Sequence, residues 1–305
     1  MRLRPMQPGD VDEADRLMRL AFGTEFGLPE PLKFRGDAGM VRHRFGMYPD
    51  GCTAAEADGR LVAFGIASRW GSLGVVGPIC VLPDHWNRGI ARQVVARTVA
   101  QIDAWGCKAA GLFTNPSSPR HLRLYQAFGF WPRSLTLVMA RDPGGAPAPD
   151  YESLARTSRS RERVLRDAAA LCDGAFPGLD LGSEIQAVVD QRLGDTLLLY
   201  DGDRLEAFAV CHYGARSEGG SEALFVKFAQ ASSEGSLASL LDACADRARQ
   251  AGARRVVAGV NTARHRAYRL LLDAGFRSEF HGVRMHRPRV EIYDGAASYA
   301  LDDWR

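Results

Sequence analysis

No two of the six cysteines stand at metal-ligand or CxxC spacing; Cys52, Cys80, Cys107, Cys172, Cys211 and Cys244 are scattered over 305 residues. Such scatter argues against a zinc site or a disulfide framework and reads as reduced thiols in a core. Long apolar runs are missing too: no stretch of 18 apolar residues occurs, so no membrane-spanning helix and no membrane partner are expected. The opening MRLRPMQPGD lacks the apolar stretch of a secretory leader, and a cytoplasmic protein is the expectation. The excess of one charge sign is small. A net charge of +3, with no clustered Lys/Arg stripe, speaks against a nucleic-acid partner. The locally basic RTSRSRERVLR (156–166) reads as a solvated linker and helix start. What is present is ordinary for a globular protein: 46% hydrophobic, 25% charged and 9% aromatic residues, at a length suited to two domains.

The Pro/Gly-rich RDPGGAPAPD (141–150) is suited to a linker. Before it, patterning predicts a strand at 3–5 and a helix opening near Asp10 or Asp12 and ending before Gly23. A loop-and-helix region follows to about Gly46, then strands at 52–57, 61–70 and 73–81. A helix from Ile90, a strand at 109–114, a helix at 119–128 and a strand at 134–139 complete the half. This order indicates an α/β (α+β) layer architecture. Shifting the sequence by 146 superposes Gly89 on Gly235, Gly106 on Gly252, Asn115 on Asn261, Arg120 on Arg266, Arg123 on Arg269, Leu124 on Leu270, Gly129 on Gly275 and Phe130 on Phe276. GRLVAF (59–64) meets DRLEAF (203–208) at a shift of 144. The chain uses one fold twice.

The helix from Ile90 carries Val94, Val95, Val99, Ile102 and Trp105 on one face, with Gly106 placed for a left-handed C-cap. At its other end, unpaired N–H groups and the dipole favour an anion. Gly89 lets the backbone approach a ligand and Arg88 adds a charge, which suits a pyrophosphate. An ordinary strand-to-helix turn with an exposed arginine explains the stretch equally well on its own. Downstream, Ser118 as N-cap with Pro119 at the first helical position marks a helix start. Tyr125 stands four residues before Gly129.

Together these features resemble the GNAT superfamily of acyl-CoA N-acyltransferases. The family's phosphate motif, Gln/Arg-x-x-Gly-x-Gly/Ala, stands here as WNRGIA (86–91), with Trp86 departing at its first position. Its second motif, Asn-x-x-Ala-x-x-Leu-Tyr-x-x-x-Gly-Phe, matches SPRHLRLYQAFGF, with Ser118 at the Asn position and His121 at the Ala position. The likeness covers about 60–140 well and 200–286 as a decayed copy. It implies two tandem domains, each a mixed, mostly antiparallel sheet flanked by helices. Residues 1–142 would be the acyl-CoA-binding, catalytic domain, 143–157 a linker, and 158–305 a degenerate copy with a C-terminal tail.

The resemblance further implies direct transfer of an acetyl group from acetyl-CoA to a primary amine of a small molecule or peptide, without a metal. Ile79, Cys80 and Val81 would run along the pantetheine arm. Asn87, Arg88, Gly89, Ile90, Ala91 and Arg92 would cradle the diphosphate, and Ser118 would bond the arm. A backbone N–H of Val81, Cys80 or Leu82 would hold the oxyanion, and Tyr125 would be the general acid. Phenol and thiol pKa values of ~10 and ~8.5 make a hydrogen bond to the leaving thiolate the safer description than full transfer. A non-catalytic acyl-CoA-binding or sensor protein is the alternative, disfavoured by Tyr125. Glu25, Glu30, Asp37 and His43 fall where the acceptor pocket is expected, each a weak candidate base, whereas Asp84 and His85 read as turn residues. Cys80 reads as a core thiol. The tail EIYDGAASYALDDWR (291–305), with Trp304, Asp302 and Asp303, could fold over a pocket, cross a homodimer interface or stay exposed.

In the second copy Arg88 becomes Glu234 and Tyr125 becomes Leu271. A phosphate charge ~4 Å from a carboxylate costs roughly 4 kcal/mol at an effective dielectric of ~20, against about 0.3–2 kcal/mol returned by a helix dipole. The second copy is expected to be silent unless Glu234 turns into solvent.

Overall fold

The computed structural model describes residues 1–144 and 149–305. Part of the expected linker, 145–148, thus lies outside the described residues. The first half runs β1 (Arg2–Pro5), α1 (Val11–Glu25), α2 (Val41–Met47), β2 (Cys52–Ala57), β3 (Arg60–Trp70), β4 (Leu73–Val81), α3 (Ile90–Ala104), β5 (Ala109–Thr114), α4 (Pro119–Gln126) and β6 (Trp131–Arg141). The second runs β7 (Glu152–Ser153), α5 (Arg161–Asp173), α6 (Gly182–Asp190), β8 (Gly194–Asp201), β9 (Arg204–Gly214), β10 (Gly220–Ala231), α7 (Glu234–Gln250), β11 (Arg255–Asn261), α8 (His265–Asp273), β12 (Arg277–Arg287) and β13 (Ala300–Leu301). The first helix passes through Gly23 rather than stopping before it, and the strand expected at 134–139 extends over the whole of β6.

Strand alternation builds three layers. Ala54, Phe64 and Ile66 face α1, while Ala55 and Ala63 face the start of α3 with Ile90 and Val94. The second half repeats this: Ala207, Ala209 and Cys211 pack on α7, and Phe208 and Val210 on α5 and α6. Backbone conformation repeats with it. Gly106 and Gly252 both cap helices at positive φ (69° and 71°). Asn115 and Asn261 each accept, through Oδ1, the N–H two residues on (2.9 and 3.0 Å).

The two sheets merge into one, ordered β1-β2-β3-β4-β5-β12-β6-β11-β10-β9-β8-β7, with β13 on β10. The last strands are exchanged: β12 pairs with β5, β6 pairs with β11, and β6 and β12 pair with each other, all antiparallel. Each half is completed by a strand of the other. Within 143–157, Glu152–Ser153 already forms β7 against β8.

Candidate active site

Beyond the parallel pairs Leu73–Ala109, Gly74–Ala110 and Val75–Gly111, β4 and β5 part. On its other edge β4 stays paired with β3 through Gly65–Ile79, Phe64–Cys80 and Ala63–Val81. Leu82 N–H donates to Val62 O at 2.9 Å. Amides alternate in direction along an antiparallel ladder. Those of Leu82 and Cys80 therefore point at β3, and those of Ile79 and Val81 point at the edge that β5 has left. Trp86 Nε1 donates to Val81 O across this edge at 2.7 Å, consistent with that direction.

The turn before α3 bends through two left-handed residues, Asn87 (φ 61°) and Gly89 (φ 75°). Gly89 is the N-cap and offers no side chain, so the helix start is not self-capped. Among the described residues no acceptor pairs with the N–H groups of Gly89, Ile90 or Ala91. These donors and the positive end of the helix dipole converge on the cleft.

The cleft measures about 260 Å³ and is lined from β4 by Ile79, Cys80 and Val81, from the α3 doorway by Asn87, Gly89, Ile90, Ala91 and Arg92, and from α4 by Tyr125. Nine of the sequence-derived site residues thus share one wall-to-wall space. Arg88 does not line it; it is exposed, without an ion-pair partner among the described residues. Ser118 does not line it either. It holds the N-cap position of α4, but its side chain makes no capping hydrogen bond and the residue is buried. Its expected bond to a pantetheine arm thus finds no support in the cleft lining.

Tyr125 packs edge-on to Phe130 (centroids 6.3 Å apart). Burial, with Cys80 beside it, pushes its phenol upward, so it stays protonated and able to donate. Burial likewise keeps the Cys80 thiol neutral, its pKa well above the usual range, which removes it as a nucleophile. His121 also lines the cleft, and burial lowers its pKa, leaving the imidazole neutral at pH 7.

One rim comes from α1, where the sequence had offered only Glu25. α1 contributes Ala21, Phe22 and Glu25 to the lining. Glu25 pairs with Arg120 Nη2 at 2.5 Å, and Arg120 sits over the Trp86 ring at 5.2 Å. Trp86 is therefore committed between Arg120 and Val81 rather than free to stack on a ligand. The i, i+4 spacing of Ala21 and Glu25 marks one helix face, but nothing in the sequence says which cleft that face meets. Of the other carboxylate and imidazole candidates, Glu30 pairs with Lys33, Asp37 bonds Ser221 and His43 bonds Glu218, all outside the cleft lining. His85, read as a turn residue, lines it.

The second copy is closed at each matching point. Because Ala109 and Arg255 are related by the repeat shift, the parallel pairs Leu73–Ala109 and Ala223–Arg255 make Ala223 the equivalent of Leu73 and Ala231 that of Val81. Ala231 N–H donates to Tyr299 O at 3.1 Å, and β13 pairs with β10 at Ala229 and Gln230. The chain's own tail occupies that strand edge. Ser233 caps α7, its hydroxyl accepting from Ser236 N–H at 3.1 Å. Glu234 is exposed, so the anticipated charge repulsion is relaxed by solvent, and the tail and cap do the closing. The tail is not loose: Trp304 is buried against Gly111, and Asp302 pairs with buried Arg264 at 2.8 Å.

The acetyltransferase (GNAT) family model matches residues 17–130, which span the open cleft. No curated protein matches the sequence. Among solved structures, a Pyrococcus horikoshii protein provisionally assigned as an acetyltransferase aligns with a TM-score of 0.73 at 16% identity, over 99% of this chain and 94% of that one. A GCN5-related N-acetyltransferase from Sphaerobacter thermophilus aligns at 0.62 and 17%, over 96% and 98%. A third, from Kribbella flavida, aligns at 0.53 and 14%, over 93% and 70%. These likenesses concern the fold, and in the first two it extends over both copies end to end. The first copy thus carries a match to the acetyltransferase (GNAT) family over residues 17–130, and the whole chain shares the two-copy fold of these structures.

Proposed function

We propose that the protein is an N-acyltransferase that moves an acetyl group from acetyl-CoA to a primary amine of a small molecule or peptide, with its working site in residues 1–142 and a non-binding second copy in 158–305. One observation carries this: the unpaired amides at the α3 doorway, the open edge of β4 and the Tyr125 phenol meet in a single cleft. The doorway amides bind the diphosphate, with Arg88 and Arg92 adding charge at the mouth. Extended pantetheine follows the open β4 edge by strand-like hydrogen bonds. The amine attacks the thioester carbonyl, a C–N bond forms, and the oxyanion is held by Val81 N–H, the one amide of the three expected candidates that faces the open edge. The tetrahedral intermediate collapses with cleavage of the C–S bond, and Tyr125 O–H donates a hydrogen bond to the departing thiolate. Neutral His121 is the group of the lining best suited to take the amine's proton, because Glu25 is engaged by Arg120.

A sensor would need no donor at the sulfur, and the placement of Tyr125 favours catalysis. The test is calorimetry with acetyl-CoA followed by thiol release against a panel of amines. Binding with release supports the reading. Binding without release by any amine leaves a sensor, and no binding removes both. Tyr125→Phe is expected to keep acetyl-CoA affinity and lose ~10²–10⁴-fold in kcat; an unchanged kcat removes Tyr125 from the chemistry.

A further inference from the structure

Where β4 leaves β5, Gly77 lies in a register shift against β3, between the pairs Ala67–Val76 and Gly65–Ile79. Its carbonyl has lost its sheet partner and accepts instead from Arg44 Nη1 at 2.9 Å. Arg44, in α2, is only 2% exposed, and a buried guanidinium needs a counter-charge. That charge is Glu218, carried by the second copy just before β10. Its carboxylate accepts from Arg44 Nε at 3.1 Å and from Arg44 Nη2 at 2.8 and 3.0 Å. Glu218 Oε1 also accepts from His43 Nε2 (2.9 Å) and from Lys227 Nζ (2.8 Å). Lys227 holds the position in β10 that Gly77 holds in β4, since 73 and 223 correspond. One carboxylate therefore ties down both copies at the points where their strands diverge.

His43, His212 and Glu218 could be read instead as a metal site, since their ligand atoms lie within 4.8 Å of one another. The contacts argue otherwise. Oε1 already takes four donors, two of the groups supplying them are cations, and a divalent ion there would face Arg44 and Lys227 at contact distance.

We propose that Glu218, acting through Arg44 on the Gly77 carbonyl, sets the divergence of β4 from β5, so that the second copy positions the thioester track of the first. The idea rests on the acyl-CoA reading above. Neither residue lines the cleft, so both are positioning residues rather than catalytic ones. The clamp acts on the strand carrying Ile79–Val81 and leaves the α3 doorway untouched, which gives it a distinctive signature. Loss of the clamp weakens what the pantetheine arm and thioester contribute and spares the diphosphate end.

The experiment compares two probes on the full chain by calorimetry, adenosine 3′,5′-bisphosphate and acetyl-CoA, together with kcat for the best amine. Arg44→Lys keeps the charge, yet a single ammonium cannot fork between a carboxylate and a carbonyl. Acetyl-CoA affinity and kcat are each expected to fall about tenfold, with nucleotide affinity within about twofold of the parent protein. Val164→Ala, a cavity in the second copy's core within α5, is the control: it lowers Tm and moves neither affinity. Unchanged acetyl-CoA affinity and kcat in Arg44→Lys overturn the proposal, as does an equal loss in Val164→Ala. Should Arg44→Lys fold poorly, the variant Arg44→Met/Glu218→Met/Lys227→Met removes the charges together, a change buried ion clusters often tolerate. It must show the same split between the two probes, and equal losses on both overturn the proposal. A parent protein that binds nucleotide but not acetyl-CoA overturns the acyl-CoA reading and this inference with it, whereas intact parent binding with a silent Arg44→Lys overturns this inference alone.

Discussion

Val81 and Ala231 occupy the same place in two copies of one strand, and their amides meet opposite fates. Val81 N–H faces an open edge, while Ala231 N–H is taken by the carbonyl of Tyr299. Around them the contrast repeats. Gly89 leaves the α3 start uncapped, and Ser233 caps α7; Tyr125 borders a cleft, and Leu271 is sealed in a core. Even the paired arginines differ, with Arg120 held by Glu25 of α1 and Arg266 by Tyr299 of the tail. A strand edge buried in a protein must find partners for its polar groups. In the second copy the chain supplies them itself. In the first, Val81 N–H and the α3 doorway amides have no such partner among the described residues, and that difference is what the proposed function rests on.

The strongest way to break this contrast is at the phenol. Tyr125→Phe should cost ~10²–10⁴-fold in kcat, whereas Leu271→Tyr should confer no turnover on a Tyr125→Phe background, because the second edge is filled. Recovered activity in that double variant would show the second cleft to be usable. Next in size is the plug. Trp304 is 3% exposed, and Trp304→Ala should destabilise the protein by about 3–5 kcal/mol in denaturant titration. A loss under ~1 kcal/mol would mean the tail merely rests on the surface. At the doorway, Arg88→Glu imposes the second copy's residue on the first. Acetyl-CoA affinity should fall about tenfold at low salt, with a smaller gap at high salt, since Arg88 is exposed. A salt-independent loss would place the charge inside the site.

The smallest effect concerns pH and the seam between the copies. Burial, with His43 alongside, holds His212 well below its usual pKa, and His43 is lowered by burial despite Glu218. The nearby charges on them are Glu218, Arg44 and Lys227. The unfolded chain takes up protons near pH ~6.5 that the folded one refuses, so stability is full above that pH and falls below it. Each histidine contributes up to about 1.4 kcal/mol per pH unit across that window. His212→Gln should flatten the decline measured by unfolding at pH 7 and pH 5.5; an unchanged slope would mean His212 titrates normally.

Much of this was readable in the chain. Residues 52–57, 73–81 and 109–114 alternate or run apolar between clear breakers, and each is a strand at those bounds. The helix at Ile90 and its glycines are local matters, settled by neighbours within a turn. The repeat was visible because glycines at positive φ resist replacement, as Gly129 and Gly275 (φ 80° and 86°) show. Less was legible where partners are remote. Apart from Glu25, named beforehand, the lining from α1 depends on elements far apart in sequence, as does the stacking of Arg120 on Trp86. Ser118 holds the N-cap position expected of it, but its hydroxyl makes no capping bond, which the sequence pattern did not reveal.

The sequence by itself determined the fold's repeat, the uncapped glycine doorway, and the tyrosine retained in one copy and lost in the other, because these are properties of single residues and short spacings. Only the tertiary structure decided that β6 and β12 change places, that residues 299–301 fill the second strand edge, and that Glu218 reaches Arg44 across 174 residues. Those outcomes follow from burial. Once two sheets fuse, each orphaned amide, carbonyl and charge must be met by whatever the fold brings within hydrogen-bond reach, and no local pattern encodes which group that is.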